Sequence, residues 1–543
     1  MAGRGSTAAQ GTALVLATLA AGQFVMTLDS SVMNVAIATV AKDVGTTVTG
    51  IQSAITLYTL VMAMLMIPGG KVGSLIGRRR AFSIGCLIYG VGSLTTALAQ
   101  NLAVLIIGWS VLEGIGAALI LPAIVALVAS NFAPEGRPRA YGLVMAAGAV
   151  AVAVGPLIGG IATTYFSWRY VFVGEVVIVL AILAVARRVQ DAPVETRSHL
   201  DVVGAFLSAA GLGLAVFGVL RSSEWGWVLA KPNGPEVLGL SPTIVLIFVG
   251  LFVLWLFSTW EHHVEKRNGE PLVRLSMFRN RQLSGGLVTF FFQFLIQAGL
   301  FFTIPLYLSV ALGLSAIETG VRIVPLSITL LLAAAGIPRF FPHVSPRLAV
   351  RAGLLAMFGG IVWLLVSIDV DAGAAIVTVP LLLAGLGIGA LASQLGSVTV
   401  SAVPDEDSPD VGGLQNTATN LGASIGTALA GSLLIAALTT SFLNGIEQNP
   451  AVPEQVSSQA NVKLAGGIPF ISDADLQKAL TQAGASEEVT QAVLDENQQA
   501  RLDGLRIALA ALALIALIAL FASRRIPTEQ PGSAKTKASD RAP

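Results

Sequence analysis

Long runs of apolar residues recur along almost the whole chain, and they limit what it can fold into. A transmembrane helix needs about 20 mainly apolar residues, and fourteen stretches of this sequence meet that requirement. The sequence therefore predicts an all-α, polytopic membrane protein. The predicted helices cover residues 12–38, 50–69, 81–99, 102–128, 140–164, 170–187, 202–221, 241–260, 284–310, 317–338, 347–368, 374–401, 411–439 and 505–523.

The composition agrees with a chain that lies mostly within a membrane. Only 12% of the 543 residues are charged, whereas a soluble domain carries roughly a quarter. The net charge of +1 gives no sign of a nucleic-acid partner, and the single cysteine, Cys86, excludes an intrachain disulfide. The first apolar run continues from Thr12 into Ala38 without a small-residue cleavage site, so we interpret it as a helix rather than a signal peptide.

The positions of lysine and arginine predict how the chain crosses the membrane. With a cytoplasmic N-terminus, 23 of the 32 Lys and Arg residues fall on the cytoplasmic side. The short outside loops 311–316 and 369–373 then carry no cation, as the positive-inside rule requires. We therefore expect a multi-pass protein of the cell membrane with both termini in the cytoplasm and residues 440–503 outside.

An internal repeat predicts the domain organisation. Residues 336–347 look like a degenerate second copy of the basic loop 70–80, eight helices later. Two six-helix halves separated by two inserted helices explain this offset. The predicted units are an N-terminal six-helix bundle (1–187), an insertion of two helices with their linkers (188–283), a C-terminal six-helix bundle with an extracellular hairpin at 440–503 (284–523) and a cytoplasmic tail (524–543).

The outside hairpin is turn-rich at first and has a helical pattern from Ser472 onwards. Its apolar residues alternate with acids and glutamines, which is typical of an amphipathic helix. We expect the hairpin to rest on the rim of the protein itself; a site for a partner is the alternative.

The basic loop at residues 70–80 combines glycines with four cations in ten residues. Such a loop orients neighbouring helices, and orientation alone is one interpretation. Its spacing G-K-x-x-x-x-x-G-R-R-R resembles the signature loop of major facilitator superfamily transporters, although Ser74 replaces the family's Asp. The resemblance implies that the loop stabilises the outward-facing state from the cytoplasmic surface. The residues with this implied gating role are Gly70, Lys71, Gly77, Arg78, Arg79 and Arg80.

The first predicted helix carries an aspartate and an asparagine in the sequence L-D-S-S-V-M-N-V-A, at residues 28–36. A charged residue within the membrane is costly and marks a functional site by default; an interfacial Asp that caps a shorter helix is the alternative. The sequence is similar to a first-helix motif of fourteen-helix drug/proton antiporters, with Ser31 in place of Thr. The resemblance implies that Asp29 takes part in proton coupling or cation recognition.

The predicted helix 140–164 has small residues at every fourth position and a central proline. Small residues at this spacing allow close helix packing, and proline bends a helix. The core G-P-x-x-G-G looks like the antiporter motif of the same transporters, which implies export by exchange. The motif residues are Gly155, Pro156, Gly159 and Gly160.

Two further acids lie within predicted helices. Glu113 follows Ser110 in a segment that aligns with the family's R-x-x-q-G-x-g, so Ser110 occupies the arginine position. In an α-helix residues three apart share a face, and we expect Glu113 to titrate together with Asp29. The alternative is that Glu113 is structural and Asp29 works alone. Glu175 is a third candidate for proton coupling, expected near the outer surface beside Arg169.

Amide side chains within the predicted helices are candidates for lining a substrate path. Amides in hydrocarbon must face protein or a water-filled cavity, and pairs spaced four apart lie on one helical face. Hydrogen bonding between helices is the alternative. The candidates are Asn34, Gln293, Gln297, Asn416 and Asn420.

The sequence also indicates what does not drive transport. The only Gly-Lys candidate for a Walker motif, Gly70-Lys71, is followed by Val72, and no HExxH pattern is present. We therefore expect no enzyme activity, no cofactor and no metal. The proton gradient remains as the source of energy.

The chain is identified as a member of the drug:H+ antiporter-2 family of multidrug efflux transporters in the major facilitator superfamily. The resemblance implies a major facilitator fold with 14 transmembrane helices as 6+2+6, and alternating access between two halves. It further implies export of amphipathic, cationic or hydrophobic drugs, and hence antibiotic resistance. We expect a monomer in the lipid bilayer, with small-molecule substrates and protons as partners.

Two other functions remain open. One is the dedicated export of an endogenous lipid or metabolite by the same fold. The other is a membrane scaffold or sensor that transports nothing, which the two replaced charges at Ser74 and Ser110 and the long hairpin make conceivable.

The predicted topology can be tested by cysteine labelling in a Cys86→Ala background. In intact cells an impermeant thiol reagent should label a cysteine at position 460 and should not label one at position 535. Permeabilised cells, in which both positions should react, provide the control. Labelling of 535 but not 460 in intact cells would reverse the assigned orientation.

Overall fold

A computed structural model describes residues 3–132, 137–191, 200–231, 234–267, 269–403, 408–453, 470 and 472–529. Helices account for nearly all of this part of the chain. The α-helices are α1 (Gly3–Asp43), α2 (Val48–Ile76), α3 (Arg78–Ala97), α4 (Leu102–Leu105), α5 (Gly114–Asn131), α6 (Arg137–Tyr165), α7 (Arg169–Ala186), α8 (Val202–Trp225), α9 (Pro242–Lys266), α10 (Arg281–Leu306), α11 (Ala316–Phe340), α12 (Pro346–Ser367), α13 (Thr378–Val400), α14 (Ser408–Gln448), α15 (Asp473–Gln482) and α16 (Glu487–Ala522).

Several short helices of other types extend or join these α-helices. A π-helix, Ile106–Glu113, joins α4 to α5, and a second one, Tyr307–Ala311, extends α10. The described 3-10 helices are Leu275–Arg279, Ala374–Val377 and Ser523–Arg525. Each of the fourteen stretches predicted from the sequence coincides with a helix.

Within the described residues, thirteen helices are long and apolar enough to cross a membrane. The exception among the predicted spans is α3, which is a helix of 20 residues but begins with three arginines and contains glycine, serine and threonine. The all-α, polytopic fold is therefore confirmed, and the count of fourteen membrane-spanning helices stays a prediction.

The expected loop between the second and third predicted helices is almost entirely helical. The sequence predicted that the second helix ends at residue 69, but α2 continues to Ile76 and α3 begins at Arg78. Gly69 and Gly70 lie against the backbone of Ala118 and the ring of Pro122 in α5, so close packing favours the helix there. Only Gly77 leaves the helical conformation, with a φ of 99° that side chains rarely adopt.

The helices form two packed groups. In the first, α1 packs on α6 and α3 packs on α5 and α7; in the second, α10 packs on α14 and α13 packs on α11 and α12. Helices α8 and α9 pack on each other, and α8 also contacts α2 and α14. The 6+2+6 division and its boundaries stay a prediction, and residues 530–543 of the expected tail lie outside the described part.

Two hydrogen-bonding side chains join α2 to α14 across the two groups. We call the side on which α2 ends and α3 begins the arginine face, and the side on which α2 begins the opposite face. Gln52, near the opposite face, donates from Nε2 to the carbonyl oxygens of Thr427 (3.1 Å) and Ala428 (3.4 Å). The Ser424 hydroxyl donates to the carbonyl oxygen of Thr56 at 3.0 Å. The two helix groups are therefore in direct contact here.

A second contact on the opposite face joins α6 to α11. The backbone N–H of Ile317 donates to the Thr164 hydroxyl at 3.1 Å. A Cβ at Gly160 would lie 2.8 Å from the carbonyl oxygen of Ala316, and one at Gly320 would collide with the carbonyl oxygen of Pro156. Only glycine allows these two backbones to approach so closely.

The hairpin includes the predicted helix that starts after Ser472. Ser472 caps α15, because its hydroxyl accepts from the backbone N–H of Asp475 at 3.2 Å. The buried Arg501 of α16 pairs with Asp473 of α15 at 2.5 Å. The last span was predicted to begin at residue 505, but α16 begins at Glu487 and is continuous with the hairpin. Residues 454–469 and 471 lie outside the described part.

We predict that Gln52→Leu weakens the contact between α2 and α14 on the opposite face. The amide contributes about 1 kcal/mol of hydrogen bonding, which corresponds to about a fivefold shift toward separated helix groups. Distances between spin labels on the opposite-face ends of α2 and α14 measure the shift.

Ser53→Ala is the matched control, because the Ser53 hydroxyl donates to Thr49 in its own helix. An unchanged distance distribution in Gln52→Leu, or an equal change in both variants, would show that Gln52 does not hold the groups together.

Candidate functional site

Three buried carboxyl groups meet inside the first helix group. They belong to Asp29 of α1, Glu113 of the π-helix and Glu175 of α7, and one carboxylate oxygen from each lies within 4.8 Å of the other two. Their side chains are 0%, 0% and 1% exposed. The sequence analysis named all three as candidates, and the structure brings them together into what we call the acid cluster.

The surroundings of Glu175 differ from the expectation. Glu175 was expected near the outer surface beside Arg169, but it is buried in the acid cluster. Arg169 instead forms an ion pair with Asp43 at the end of α1, at 3.2 Å. The reason is that Arg169 lies at the first turn of α7, whereas Glu175 lies more than a turn further along the helix.

Asp29 is held by a tryptophan that the sequence analysis did not single out. The Nε1–H group of Trp109 donates to both carboxylate oxygens of Asp29, at 2.7 Å each. The indole ring stacks on the ring of Tyr58 with centroids 5.2 Å apart. Trp109 precedes Glu113 by four residues, and this spacing is the signal that could have placed both side chains in one site.

The two glutamates receive hydrogen bonds from hydroxyl groups of α3. Thr96 donates to Glu113 Oε1 at 3.2 Å, and Ser93 donates to Glu175 Oε2 at 3.0 Å. The Tyr89 hydroxyl lies 3.4 Å from the same Oε2. The other oxygens, Glu113 Oε2 and Glu175 Oε1, have no hydrogen-bond partner among the described residues.

The π-helix overturns the expectation that Ser110 and Glu113 share a face. A π-helix has i→i+5 hydrogen bonds and a wider turn than an α-helix, so residues three apart spread further around its axis. Ser110 donates to the carbonyl oxygen of Ala54 in α2 at 2.8 Å, whereas Glu113 faces Thr96 in α3. Ser110, at the family's arginine position, therefore does not contact the acids.

The chemistry of the acid cluster follows from its charge. None of the ion pairs among the described residues involves the three acids, and their hydrogen-bond donors are neutral. Three ionised carboxylates so close together in a buried site would repel one another strongly. The cluster can therefore bind protons or a cation, and its occupancy sets the charge of the bundle interior.

The predicted substrate-path residues do not form one hydrogen-bonded network. Asn34, Asn416 and Asn420 each donate to a carbonyl oxygen four residues earlier in their own helix, at 2.8–3.0 Å. The Oε1 atoms of Gln293 and Gln297 are buried without a hydrogen-bond partner among the described residues. A role for these amides in a substrate path stays a prediction.

The antiporter motif on α6 packs against the part of α1 that carries Asp29. A Cβ at Gly155 would collide with the hydroxyl of Ser31, and one at Gly159 would lie 3.0 Å from Cα of Val32. Ser31 and Val32 follow Asp29 in α1. Helix α6 therefore contacts the helix that carries Asp29 on one side and, through Gly160, α11 on the other.

At the arginine face, Arg79 joins α3 to the segment that follows α7. Its backbone N–H donates to Asp191 Oδ1 at 3.0 Å, and its guanidinium donates to the carbonyl oxygen of Val189 at 3.3 Å. Asp191 also packs against Gly77, where a Cβ would lie 2.7 Å from its Oδ2. The sequence analysis missed Asp191, which caps the start of α3.

Other residues of the same loop contact each other and the linker before α10. Lys71 pairs with Glu270 at 3.1 Å, and Arg78 donates to the carbonyl oxygen of Gly70 at 2.6 Å. The hydroxyl of Ser74 donates to its own helix, at the carbonyl oxygen of Lys71. Glu270 is a second carboxylate that the sequence analysis missed.

Comparisons with known proteins agree with this architecture. The sequence model of the Major Facilitator Superfamily matches residues 19–427. The puromycin resistance protein pur8 of Streptomyces alboniger is 30% identical over 442 residues, which cover 80% of this chain and 84% of the relative. The cephamycin export protein CmcT of Amycolatopsis lactamdurans is 31% identical over 424 residues, covering 77% and 84%. The tetracenomycin C resistance and export protein of Streptomyces glaucescens is 29% identical over 426 residues, covering 77% and 75%.

Solved structures share the fold at low sequence identity. A bacterial homolog of the human lysosomal transporter Spinster has a TM-score of 0.60 and 13% identity, covering 95% of this chain and 98% of that one. An auto-inhibited peptide transporter of the POT family has a TM-score of 0.56 and 14% identity, covering 96% and 98%.

We predict that Gly92→Ala distorts the acid cluster. A Cβ at Gly92 would lie 2.6 Å from Cγ of Glu113 and 2.7 Å from the carbonyl oxygen of Gly108, so the π-helix would have to move. Overpacking of this kind lowers the free energy of unfolding by about 1–3 kcal/mol, which thermal unfolding in detergent measures.

Gly174→Ala is the control, because a Cβ at Gly174 has no neighbouring atom within 4 Å. Equal stability of the two variants would contradict the close approach of α3 to the π-helix.

Proposed function

Because the chain belongs to the major facilitator superfamily, we propose that it exports amphipathic small molecules across the cell membrane in exchange for protons. Members of this superfamily are transporters, so we assign no enzymatic activity. The relatives described above bear names of antibiotic resistance and export proteins, which supports drugs, cationic or hydrophobic, as the substrates.

The acid cluster is the structural feature that supports the proposed proton coupling. It contains three carboxyl groups, lies wholly inside one helix group and is compensated only by neutral donors. Buried carboxyl groups in this arrangement bind and release protons as a coupled set. A cluster that changes its charge inside a helix bundle also changes how the helices around it pack.

Helix α6 transmits movement of the acid-bearing helix α1 to the other helix group. When protons leave, repulsion between the carboxylates displaces α1 relative to the π-helix and α7. Helix α6 rests on α1 next to Asp29, through Gly155 and Gly159, and its Gly160 rests on α11. A shift of α1 is thereby transmitted to the contact between the groups, which opens and closes during alternating access.

The orientation follows from the positive-inside rule. We propose that the arginine face is cytoplasmic, that both termini are cytoplasmic and that the opposite face is the outer one. The contacts of Gln52 and Gly160 then lie on the outer side, and they have to open when substrate is released there. The protein would act as a monomer within the lipid bilayer.

Dedicated export of one endogenous compound is the second candidate. It is supported by relatives whose names each contain a single compound, such as the probable actinorhodin transporter of Streptomyces coelicolor. Another relative, of Mycobacterium tuberculosis, is named a multidrug resistance protein. Uptake of ethidium, puromycin, tetracenomycin C and cell lipid extract into inverted vesicles separates a broad exporter from a dedicated one.

We predict that Asp29→Asn, Glu113→Gln and Glu175→Gln each abolish export driven by a pH gradient while substrate binding is kept. Each variant removes one protonation site and preserves the size of the side chain. The measurement is the pH-gradient-dependent accumulation of the panel compounds in inverted vesicles, compared with their binding to purified protein.

Glu261→Gln is the matched control, since Glu261 is a buried acid of α9 outside the acid cluster. Normal transport by Glu113→Gln with an unchanged pH profile would contradict the prediction for Glu113. It would show that Asp29 couples transport to protons without Glu113. Absence of uptake of every compound by the wild-type protein would favour a scaffold or sensor over a transporter.

A further inference from the structure

We infer that Trp109 is a positioning residue of the acid cluster, which fixes Asp29 as the acid that gives up its proton first. This inference rests on the proposed function, because it assigns separate roles to acids that are proposed to couple transport to protons. It is carried by the hydrogen bonds of the indole and by the contrast with the donors of the two glutamates.

The indole N–H donates to both oxygens of one carboxyl group. Trp109 Nε1 lies 2.7 Å from Oδ1 and 2.7 Å from Oδ2 of Asp29. An ionised carboxylate has two equivalent acceptor oxygens, whereas a protonated one has a hydroxyl that is itself a donor. An indole N–H can only donate. The geometry therefore complements the ionised form of Asp29.

The two glutamates have donors of a different kind. Thr96 and Ser93 contact Glu113 and Glu175 through hydroxyl groups, and a hydroxyl can rotate and accept a hydrogen bond instead of donating one. A protonated glutamate can thus keep a hydrogen bond by reversing its direction. Protonated Asp29 accepts from the indole through its carbonyl oxygen alone and so loses one of the two contacts. The protons that remain in the cluster are therefore held by the glutamates.

The position of the indole is fixed by packing. Trp109 is 0% exposed, and its ring is stacked on Tyr58 at an interplanar angle of 13°. It lies in the π-helix, and Ser110 next to it anchors this segment to α2 through the carbonyl oxygen of Ala54. A donor held in this way keeps its geometry when the charge of the cluster changes.

The test removes the N–H group twice, once with a smaller ring and once with a ring of the same size. In purified protein, the infrared carbonyl band of the protonated carboxyl that is lost in Asp29→Asn reports the protonation of Asp29, with no substrate required. Trp109→Phe should raise the proton affinity of Asp29 about tenfold, moving the midpoint of this band by about one pH unit toward alkaline pH. The same change is expected when benzothienylalanine, an isostere with sulfur in place of N–H, is incorporated at position 109.

Trp168→Phe is the matched control, because Trp168 is another buried tryptophan whose Nε1–H donates to a carboxylate, that of Asp43 at 3.0 Å, outside the acid cluster. Its midpoint should stay within a few tenths of a pH unit of the wild-type value. The isosteric replacement keeps the proposal testable if Trp109→Phe does not fold, because it preserves the size of the ring. An unchanged midpoint with the isostere, or an equal shift in Trp168→Phe, would overturn the role of Trp109.

The outcome separates this inference from the function on which it rests. If no carboxyl band depends on Asp29 and transport does not respond to a pH gradient, the proton coupling itself is wrong. If the Asp29 band is present and transport is coupled, but the band does not respond to the isostere, only the role of Trp109 is wrong.

Discussion

The hydrogen bond from Trp109 to Asp29 is the interaction on which the interior of the first helix group depends. A charged group buried in a helix bundle needs a partner, and the buried Arg501 has a carboxylate at 2.5 Å. Asp29 has an indole instead. Because that donor carries no charge, the cluster stays acidic and can still take up protons. A cation at the same place would neutralise one carboxylate permanently, and the cluster would then have less capacity for protons.

Glycines determine which helices are in direct contact with the helix that carries Asp29. Helix α6 approaches α1 so closely at Gly155 and Gly159 that a side chain would collide with Ser31 or crowd Val32, and Gly160 brings it equally close to α11. Backbones in direct contact cannot move independently, because no flexible side chain lies between them. The motif therefore joins the acid-bearing helix to the second helix group through one helix, α6.

The sequence predicted the class of the fold and the identity of the acids, but not their surroundings. Long apolar stretches determine where helices form in a membrane, and each predicted stretch is helical. The π-helix around Glu113 was not predictable, since its hydrogen-bond register depends on how α2 and α3 pack against it, through Ala54 and Gly92. Trp109 was missed although it lies four residues before Glu113, because its hydrogen bond to Asp29 becomes visible only in the folded chain. Asp191 and Glu270 lie in connections without periodic patterns, so their contacts with the arginine face become visible only in the folded chain.

Ser74 and Ser110 stand at two positions that are charged in the family. Ser74 and Ser110 both donate hydrogen bonds to backbone carbonyl oxygens, and neither replaces the charge that the family has there. Other residues stand near each position: Asp191 caps α3 beside the basic loop, and Trp109 donates to Asp29 next to Ser110. At the arginine face Asp191 supplies a negative charge from a neighbouring segment, whereas no ion pair among the described residues brings a positive charge to the acid cluster. The first change keeps the local balance of charge, and the second leaves an excess of buried acid, which only protons or a cation can neutralise.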